Sequence, residues 1–209
     1  MQGLKLECLL NSTKDILLEL IKNDYMRNFV LVDGSALALY FCHRFSEDLD
    51  FFTYQDNNFQ IEKVFKIINN FNNKEIVNIS NDQIDVMING VKVTFFNAKW
   101  HFLKPKEIRN FNVATLEQIA IMKINTLFLR AKYRDYYDLY FLEHHFSLKQ
   151  IFELSKDILN GINLKLFITA LTFIDDIEDE KLDYLKPVKE LSLKEIRDFF
   201  EEKIKKEFL

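Results

Sequence analysis

The feature that most constrains the fold of this sequence is a hairpin signal near its middle. Residues 84–88 and 91–96 are two apolar, β-branched runs, and the dipeptide Asn89-Gly90 separates them. Asn-Gly favours a two-residue turn whose twist matches two antiparallel strands. Such a turn places Asp85 directly opposite Thr94 on one face of the sheet. The chain is therefore predicted to contain an antiparallel strand pair of defined register.

Glycine and proline are scarce, with four glycines and two prolines in 209 residues. Phosphate loops of the Gly-x-Gly-x-x-Gly or Walker type need several glycines in one loop, so dehydrogenases and P-loop enzymes are excluded. The chain is 48% hydrophobic and 29% charged, which is ordinary for a globular protein. A net charge of −4 excludes a broadly basic protein that coats nucleic acid, but leaves room for a local basic cleft.

The two cysteines, Cys8 and Cys42, lie in apolar runs without a Cys-x-x-Cys motif. Neither a disulfide framework nor a zinc knuckle is expected, and a reducing compartment fits best. No apolar stretch reaches the roughly 18 residues of a membrane span, and residues 1–7 lack the layout of a signal peptide. We therefore expect a cytoplasmic protein that does not contact a membrane.

Hydrophobic periodicity divides the chain into two halves. In the first half, helical and alternating patterns follow one another. The elements predicted there, besides the hairpin, are helices over residues 6–22, 36–41 and 59–71 and strands over residues 29–32 and 48–54. From about residue 113 the pattern is wholly helical, with capping-box sequences that begin at Thr115 and Ser192. We predict an α+β fold with an α/β domain over residues 1–110 and an α-helical domain over residues 111–209.

Two acidic residues, Asp48 and Asp50, are two positions apart on a predicted strand, so both side chains leave the same face. Carboxylate oxygens in this arrangement suit Mg²⁺ or Mn²⁺, and a pair of such ions supports phosphoryl or nucleotidyl transfer. Gly34-Ser35 follows one strand and opens a helix, where backbone N–H groups and a hydroxyl can hold a triphosphate. By itself, an Asp-x-Asp sequence is also typical of two solvated acids at a strand end.

The order Gly-Ser, short helix, Asp-x-Asp is the pattern of the polymerase-β-type nucleotidyltransferases. More narrowly, residues 31–52, which contain Asp33-Gly34-Ser35 and His43-Arg44-Phe-Ser46-Glu-Asp48-Leu-Asp50, resemble the AbiEii/MenT-type nucleotidyltransferase toxins. A second stretch, residues 121–139, resembles the same family. It carries Lys123, Arg130 and the sequence Arg134-Asp135-Tyr-Tyr-Asp138-Leu139.

The resemblance implies a polymerase-β-type core, a mixed sheet flanked by helices, followed by a C-terminal helical bundle that contributes Lys, Arg and Asp residues to the cleft. It also implies metal-dependent transfer of a nucleoside monophosphate from a nucleoside triphosphate onto an acceptor, which could be a transfer RNA 3′ end. Such a protein would be the toxin of a toxin–antitoxin pair and would have a cognate antitoxin as partner.

The same resemblance implies roles for individual residues. Asp48 and Asp50 would bind Mg²⁺ or Mn²⁺, and Lys123 and Asp135 would complete the catalytic site. The expected nucleotide-binding residues are Gly34, Ser35, Arg44, Ser46, Arg130 and Arg134.

Thr94 departs from the wider superfamily, in which most members place a third carboxylate on this strand. Asp85, predicted to face Thr94, either supplies the missing oxygen ligand or is a solvated acid on an exposed face. The substitution also motivates an alternative function: a catalytically silent nucleotide-binding module that acts through a protein partner.

Other positions leave two interpretations open. Arg134 and Asp138 are four residues apart. They either form a surface ion pair of small energetic weight, or Asp138 belongs to the catalytic site. Arg44 and Ser46 either contact phosphate or only fix their loop. A candidate RNA-contacting patch near the junction of the two halves consists of Lys99, Lys104, Lys106 and Arg109.

Overall fold

The computed structural model describes residues 4–54, 59–108, 111–177 and 182–209. The chain forms two compact units, Met1–Thr115 and Leu116–Leu209. The first contains a sheet and helices, and the described part of the second contains helices without strands.

The first unit is built on a seven-stranded mixed sheet. Its helices are α1 (Asn11–Leu20), α2 (Asp33–Phe41) and α3 (Ile61–Ile68). Its strands are β1 (Phe29–Leu31), β2 (Leu49–Thr53), β3 (Lys74–Ile79), β4 (Gln83–Ile88), β5 (Val91–Phe96), β6 (Lys106–Ile108) and β7 (Phe111–Val113). The strand order is β3-β4-β5-β2-β1-β7-β6. The pairs β2–β5 and β1–β7 are parallel and the other four are antiparallel. The predicted α+β class is confirmed.

The predicted hairpin is present as β4 and β5. Asn89 and Gly90 both have positive φ, 50° and 81°, as the two central residues of a type I′ turn require. The register pairs Asp85 with Thr94. The local turn chemistry was therefore enough to predict this strand pairing.

Strand β2 has one buried face and one half-buried face. Leu49, Phe51 and Thr53 are buried, whereas Asp50 and Phe52 between them are partly exposed. On the buried side, the ring of Phe51 stacks on that of Phe95 from β5 at a centroid distance of 5.8 Å. This alternation secures β2 in the core and leaves its acidic face available for chemistry.

Cys8 and Cys42 form a disulfide with their Cα atoms 5.3 Å apart, so the expectation that the cysteines form no disulfide framework is wrong. The cause is a tertiary contact. Leu9 forms an isolated bridge to Ser46, and the Ser46 N–H donates to the Cys8 carbonyl at 3.2 Å. This contact brings Cys8 to the end of α2, where Cys42 is the left-handed cap residue. The two cysteines are 34 positions apart, so no local sequence motif could predict that they pair.

The second unit consists of helices packed around its own apolar core. They are α4 (Leu116–Arg130), α5 (Tyr133–Glu143), α6 (Leu148–Lys156), α7 (Leu164–Thr172) and α8 (Leu193–Phe208), with short 3₁₀ turns at Phe173–Asp176 and Asp183–Leu185. The capping box predicted at Ser192 is present: its hydroxyl accepts from the Glu195 N–H, and the Glu195 carboxylate accepts from the Ser192 N–H. Within the described ranges, no helix combines the length and hydropathy that a membrane span requires.

Candidate active site

The acid pair lies where β2 begins. Asp48 directly precedes the strand and Asp50 is its second residue, and both residues are partly exposed. The Val32 N–H, just before α2, donates to the Asp50 carbonyl at 3.0 Å. The start of β2 is thereby fixed beside the N-terminus of α2, as the sequence motif predicts.

The charges around Asp50 favour a bound cation. The pKa of the Asp50 carboxyl is raised to about 7, by burial first and then by the negative charges of Asp33 and Asp48, while the Lys92 ammonium and the Thr94 hydroxyl act in the opposite direction. A positive ion beside Asp50 would relieve this repulsion. The oxygen donors of Asp48 and Asp50 therefore fit Mg²⁺ or Mn²⁺.

Asp48 and Asp50 do not form a complete set of protein ligands for a metal ion. Among the residues that the structure describes, no group of three His, Cys, Asp or Glu side chains is arranged to hold a metal ion. Mg²⁺ is commonly held by one or two carboxylates together with substrate phosphates and water. The donor set at Asp48 and Asp50 suits that kind of shared site.

Two charged residues beside the acid pair were missed by the sequence reasoning. Asp33 is the first residue of α2, with φ of 55°, and its charge acts on Asp50 more strongly than that of Asp48. Lys92 precedes Val93, which pairs with Leu49, so Lys92 lies next to Asp48 in the register. The sequence contains a signal for each of them. Asp33 directly precedes the Gly34-Ser35 motif, and Lys92 is two positions before Thr94 and so leaves the same face of β5.

Ser35 and Ser46 form a hydrogen-bonded pair beside the acid pair. Their hydroxyls are hydrogen-bonded to each other at 2.8 Å, and the Ser35 hydroxyl also donates to the Asp48 backbone carbonyl. Both side chains are buried. These hydrogen bonds position the segment that carries Asp48.

The backbone N–H groups of Gly34 and Ser35 lie in the first turn of α2. Anions bind at the N-termini of helices. That Gly34 and Ser35 bind the phosphates of a nucleotide stays a prediction.

The loop before β2 is packed rather than open. The Arg44 side chain is 3% exposed, and its Nη1 donates to the Phe45 carbonyl at 3.0 Å. His43 is fully buried, with its ring edge-on to Phe41 at 6.2 Å. This geometry favours the interpretation in which Arg44 and Ser46 fix their loop.

Asp85 and Thr94 form the predicted cross-strand pair. Thr94 Oγ1 donates to Asp85 Oδ1 at 2.8 Å. The other carboxylate oxygen of Asp85 accepts from Gln83 Nε2 at 2.8 Å and from Asn78 Nδ2 at 3.3 Å. Asp85 is 7% exposed, so the interpretation of a solvated acid on an open face is wrong. Its role as a metal ligand stays a prediction.

In the second unit, Lys123, Asp135 and Asp138 form a buried charge cluster. Lys123 Nζ lies 3.1 Å from Asp135 Oδ1 and 2.8 Å from Asp138 Oδ2, and all three side chains are at most 1% exposed. Asp135 Oδ2 also accepts from the Lys132 N–H at 3.2 Å and lies 4.0 Å from Arg130 Nη1. Asp138 is therefore not a surface acid.

A family model described as "Nucleotidyl transferase AbiEii toxin, Type IV TA system" matches residues 15–99 and 92–207. The chain belongs to the AbiEii family. This AbiEii protein is accordingly a nucleotidyltransferase and a toxin of the type IV toxin–antitoxin class. The family resemblance of residues 31–52 and 121–139 is confirmed.

Three known proteins are similar to this chain in sequence or in fold. The uncharacterized protein aq_aa25 of Aquifex aeolicus (strain VF5) is 29% identical over 183 residues, covering 85% of this chain and 87% of that protein. The fold is similar to that of JHP933 from Helicobacter pylori, with a TM-score of 0.55, 21% identity and coverage of 98% and 94% of the two chains. It is also similar to ANT(2″)-Ia in complex with adenylyl-2″-tobramycin, with a TM-score of 0.52, 10% identity and coverage of 70% and 97%.

Proposed function

We propose that this AbiEii protein transfers a nucleoside monophosphate from a nucleoside triphosphate to the 3′ end of a transfer RNA, using Mg²⁺ or Mn²⁺ held by Asp48 and Asp50. The acceptor hydroxyl attacks the α-phosphorus, and pyrophosphate leaves. The observation that carries the proposal is the acid pair itself, two carboxylates on one strand face beside a helix N-terminus and a lysine.

Different residues of the first unit are proposed to bind the metal and the phosphates of the triphosphate. Asp48 and Asp50 would hold the metal, which would neutralise charge on the triphosphate and on the pyrophosphate. The first-turn N–H groups of Gly34 and Ser35 donate to phosphate oxygens. Lys92, beside Asp48 in the register, supplies a further positive charge to the phosphates.

The proposed roles of the second unit rest on the family motif. Lys123 and Asp135 are proposed as catalytic residues, and Arg130 and Arg134 as phosphate contacts. Arg130 is more than half exposed, which suits contact with an anionic substrate. Lys123 is already bound to two carboxylates, so its proposed role needs a test that separates catalysis from stability.

An exposed basic stretch supports RNA as the acceptor. Lys99, Lys104 and Lys106 are exposed. Partly buried aromatic rings adjoin them in the chain: the centroid of Trp100 lies 5.6 Å from that of Phe52 and 5.3 Å from that of Phe102. Lysines beside aromatic rings are typical of surfaces that bind single-stranded nucleic acid. Arg109, the fourth member of the predicted patch, lies outside the described residues.

The proposal is tested by incubating the purified protein with each α-labelled nucleoside triphosphate, total transfer RNA and Mg²⁺ or Mn²⁺. We expect labelled RNA with the wild type and at least a hundredfold less with Asp48→Ala or Asp50→Ala, because the metal loses a ligand. Asp15→Ala, which removes an exposed acid on α1, is the matched control and should keep wild-type transfer.

Further arms of the experiment separate the alternatives. Periodate oxidation of the RNA destroys its 3′-terminal diol and should abolish labelling. Labelling that survives oxidation, or label found on protein, would contradict the proposed acceptor. Triphosphates that raise the melting temperature without any transfer would instead support the catalytically silent nucleotide-binding module.

A further inference from the structure

A line of polar side chains crosses four strands on the face that carries Asp50. The register places Asp50 of β2 next to Thr94 of β5, Thr94 opposite Asp85 of β4, and Asp85 opposite Asn78 of β3. Side chains at paired positions of neighbouring strands leave the same face. Through Thr94, the acid pair is therefore next to a third carboxylate, the buried Asp85 on β4.

Thr94 joins the two carboxylates. Its hydroxyl donates to Asp85 Oδ1 at 2.8 Å, and Thr94 lies beside Asp50 in the register, where its hydroxyl lowers the pKa of the Asp50 carboxyl. A hydroxyl has one proton to donate and two lone pairs. Since Asp85 also accepts from the Gln83 and Asn78 amides, it stays hydrogen-bonded even when Thr94 turns its proton towards Asp50.

Asp85 is held as a fixed acceptor. Three side-chain donors surround its two oxygens, and the carboxylate is buried. Oxygens engaged in this way are poorly placed to enter the coordination sphere of a metal, but they orient the group that donates to them. Such outer partners commonly change metal affinity by about 10–100-fold when they are removed.

We propose that Asp85 is a positioning residue that acts on Asp50 through the Thr94 hydroxyl. The inference rests on the proposed metal role of Asp50. The Thr94 hydroxyl lies beside Asp50 in the register, and the acid on the neighbouring strand fixes that hydroxyl. Asp85 itself does not touch the metal.

The test is Mn²⁺ binding to the full chain without nucleotide, followed by electron paramagnetic resonance or calorimetry, with melting temperatures recorded in parallel. We expect Thr94→Val to weaken Mn²⁺ binding about 10–100-fold and Thr94→Ser to restore it. Asp85→Asn should weaken binding in the wild-type background and add little in the Thr94→Val background, since both changes break the same connection.

Thr53→Val is the matched control. Thr53 is a fully buried threonine of β2, on the face opposite Asp50, and its hydroxyl donates to Asn97 Oδ1 at 3.1 Å. Its loss should lower the melting temperature without changing Mn²⁺ affinity. Equal losses of affinity for Thr53→Val and Thr94→Val would reduce the effect to stability and overturn the proposal.

The remaining outcomes also decide the question. If Asp85→Asn lowers Mn²⁺ affinity by the same factor in both backgrounds, Asp85 is a direct ligand and the positioning role is wrong. If the wild type shows no Mn²⁺ binding that Asp50→Asn removes, the inference is overturned. Normal Mn²⁺ binding without nucleotidyl transfer would contradict the proposed function alone.

Discussion

Asp50 is the residue on which the charges of the candidate site act most strongly. Burial and the neighbouring acids Asp33 and Asp48 raise its pKa to about 7. The alternation of β2 predicted that Asp48 and Asp50 share a face. The charge of Asp33 could not be predicted in this way, because it depends on how the start of α2 lies against β2, a contact between segments that the sequence pattern does not encode.

The raised pKa of Asp50 predicts a pH dependence of stability in the absence of divalent ions. An unfolded Asp has a pKa of about 3.9, so between about pH 4 and pH 7 the folded state binds a proton that the unfolded state has released. The free energy of unfolding should therefore fall as pH rises through this window, by up to about 1.4 kcal/mol per pH unit for one group. Urea unfolding with a chelator, at pH 4.5 to 8, measures this.

Asp50→Asn is the comparison for that experiment, since it removes the titrating group while keeping its size. Its stability should change less over the same pH range. The same pH dependence in the variant and the wild type would show that other groups cause it. Added Mg²⁺ should stabilise the wild type more at pH 8 than at pH 5.5, because it binds the ionised carboxylate.

At the scale of secondary structure elements, signals within one segment predicted structure best. The β4–β5 hairpin followed from its turn residues, and the Ser192 capping box followed from four consecutive residues. Strand β3 was missed because it is exposed along its whole length, so it lacks the alternation that marks a half-buried strand. Strands β6 and β7 are three residues each, too short for a periodic pattern.

The disulfide belongs to this scale because it ties the N-terminal segment to the end of α2. In the chain-entropy account, closing a loop of 34 residues stabilises the folded state by about 4 kcal/mol. Cys8→Ser, or reduction of the wild type, should lower the free energy of unfolding by up to that amount, as measured by urea unfolding with and without a phosphine reductant. Reduction should not affect Cys8→Ser further. Equal stability of oxidised wild type and Cys8→Ser would contradict a native disulfide.

At the scale of the whole molecule, each of the two units has its own group of chemically important residues. The first unit carries the partly exposed acids, and the second carries the buried Lys123 cluster. The motif over residues 121–139 predicted that Lys123 and Asp135 matter together. It did not predict that Asp138 binds the same ammonium, because helical spacing alone also allowed a surface ion pair with Arg134.

Lys123→Met should destabilise the protein by about 3–5 kcal/mol, because it leaves Asp135 and Asp138 buried without their cation. Replacing the carboxylates as well, with Asp135→Asn and Asp138→Asn, removes the uncompensated charge and should recover much of that stability. Urea unfolding measures both steps.

Nucleotidyl transfer by the same triple variant, assayed below its melting temperature, separates the two roles of the cluster. We expect transfer to stay at least a hundredfold below wild type despite the recovered stability, since Lys123 and Asp135 are proposed to act in the reaction itself. Transfer that returns together with stability would show instead that the cluster only holds α4 and α5 in place, because a purely structural ion network can be replaced by neutral side chains of similar size.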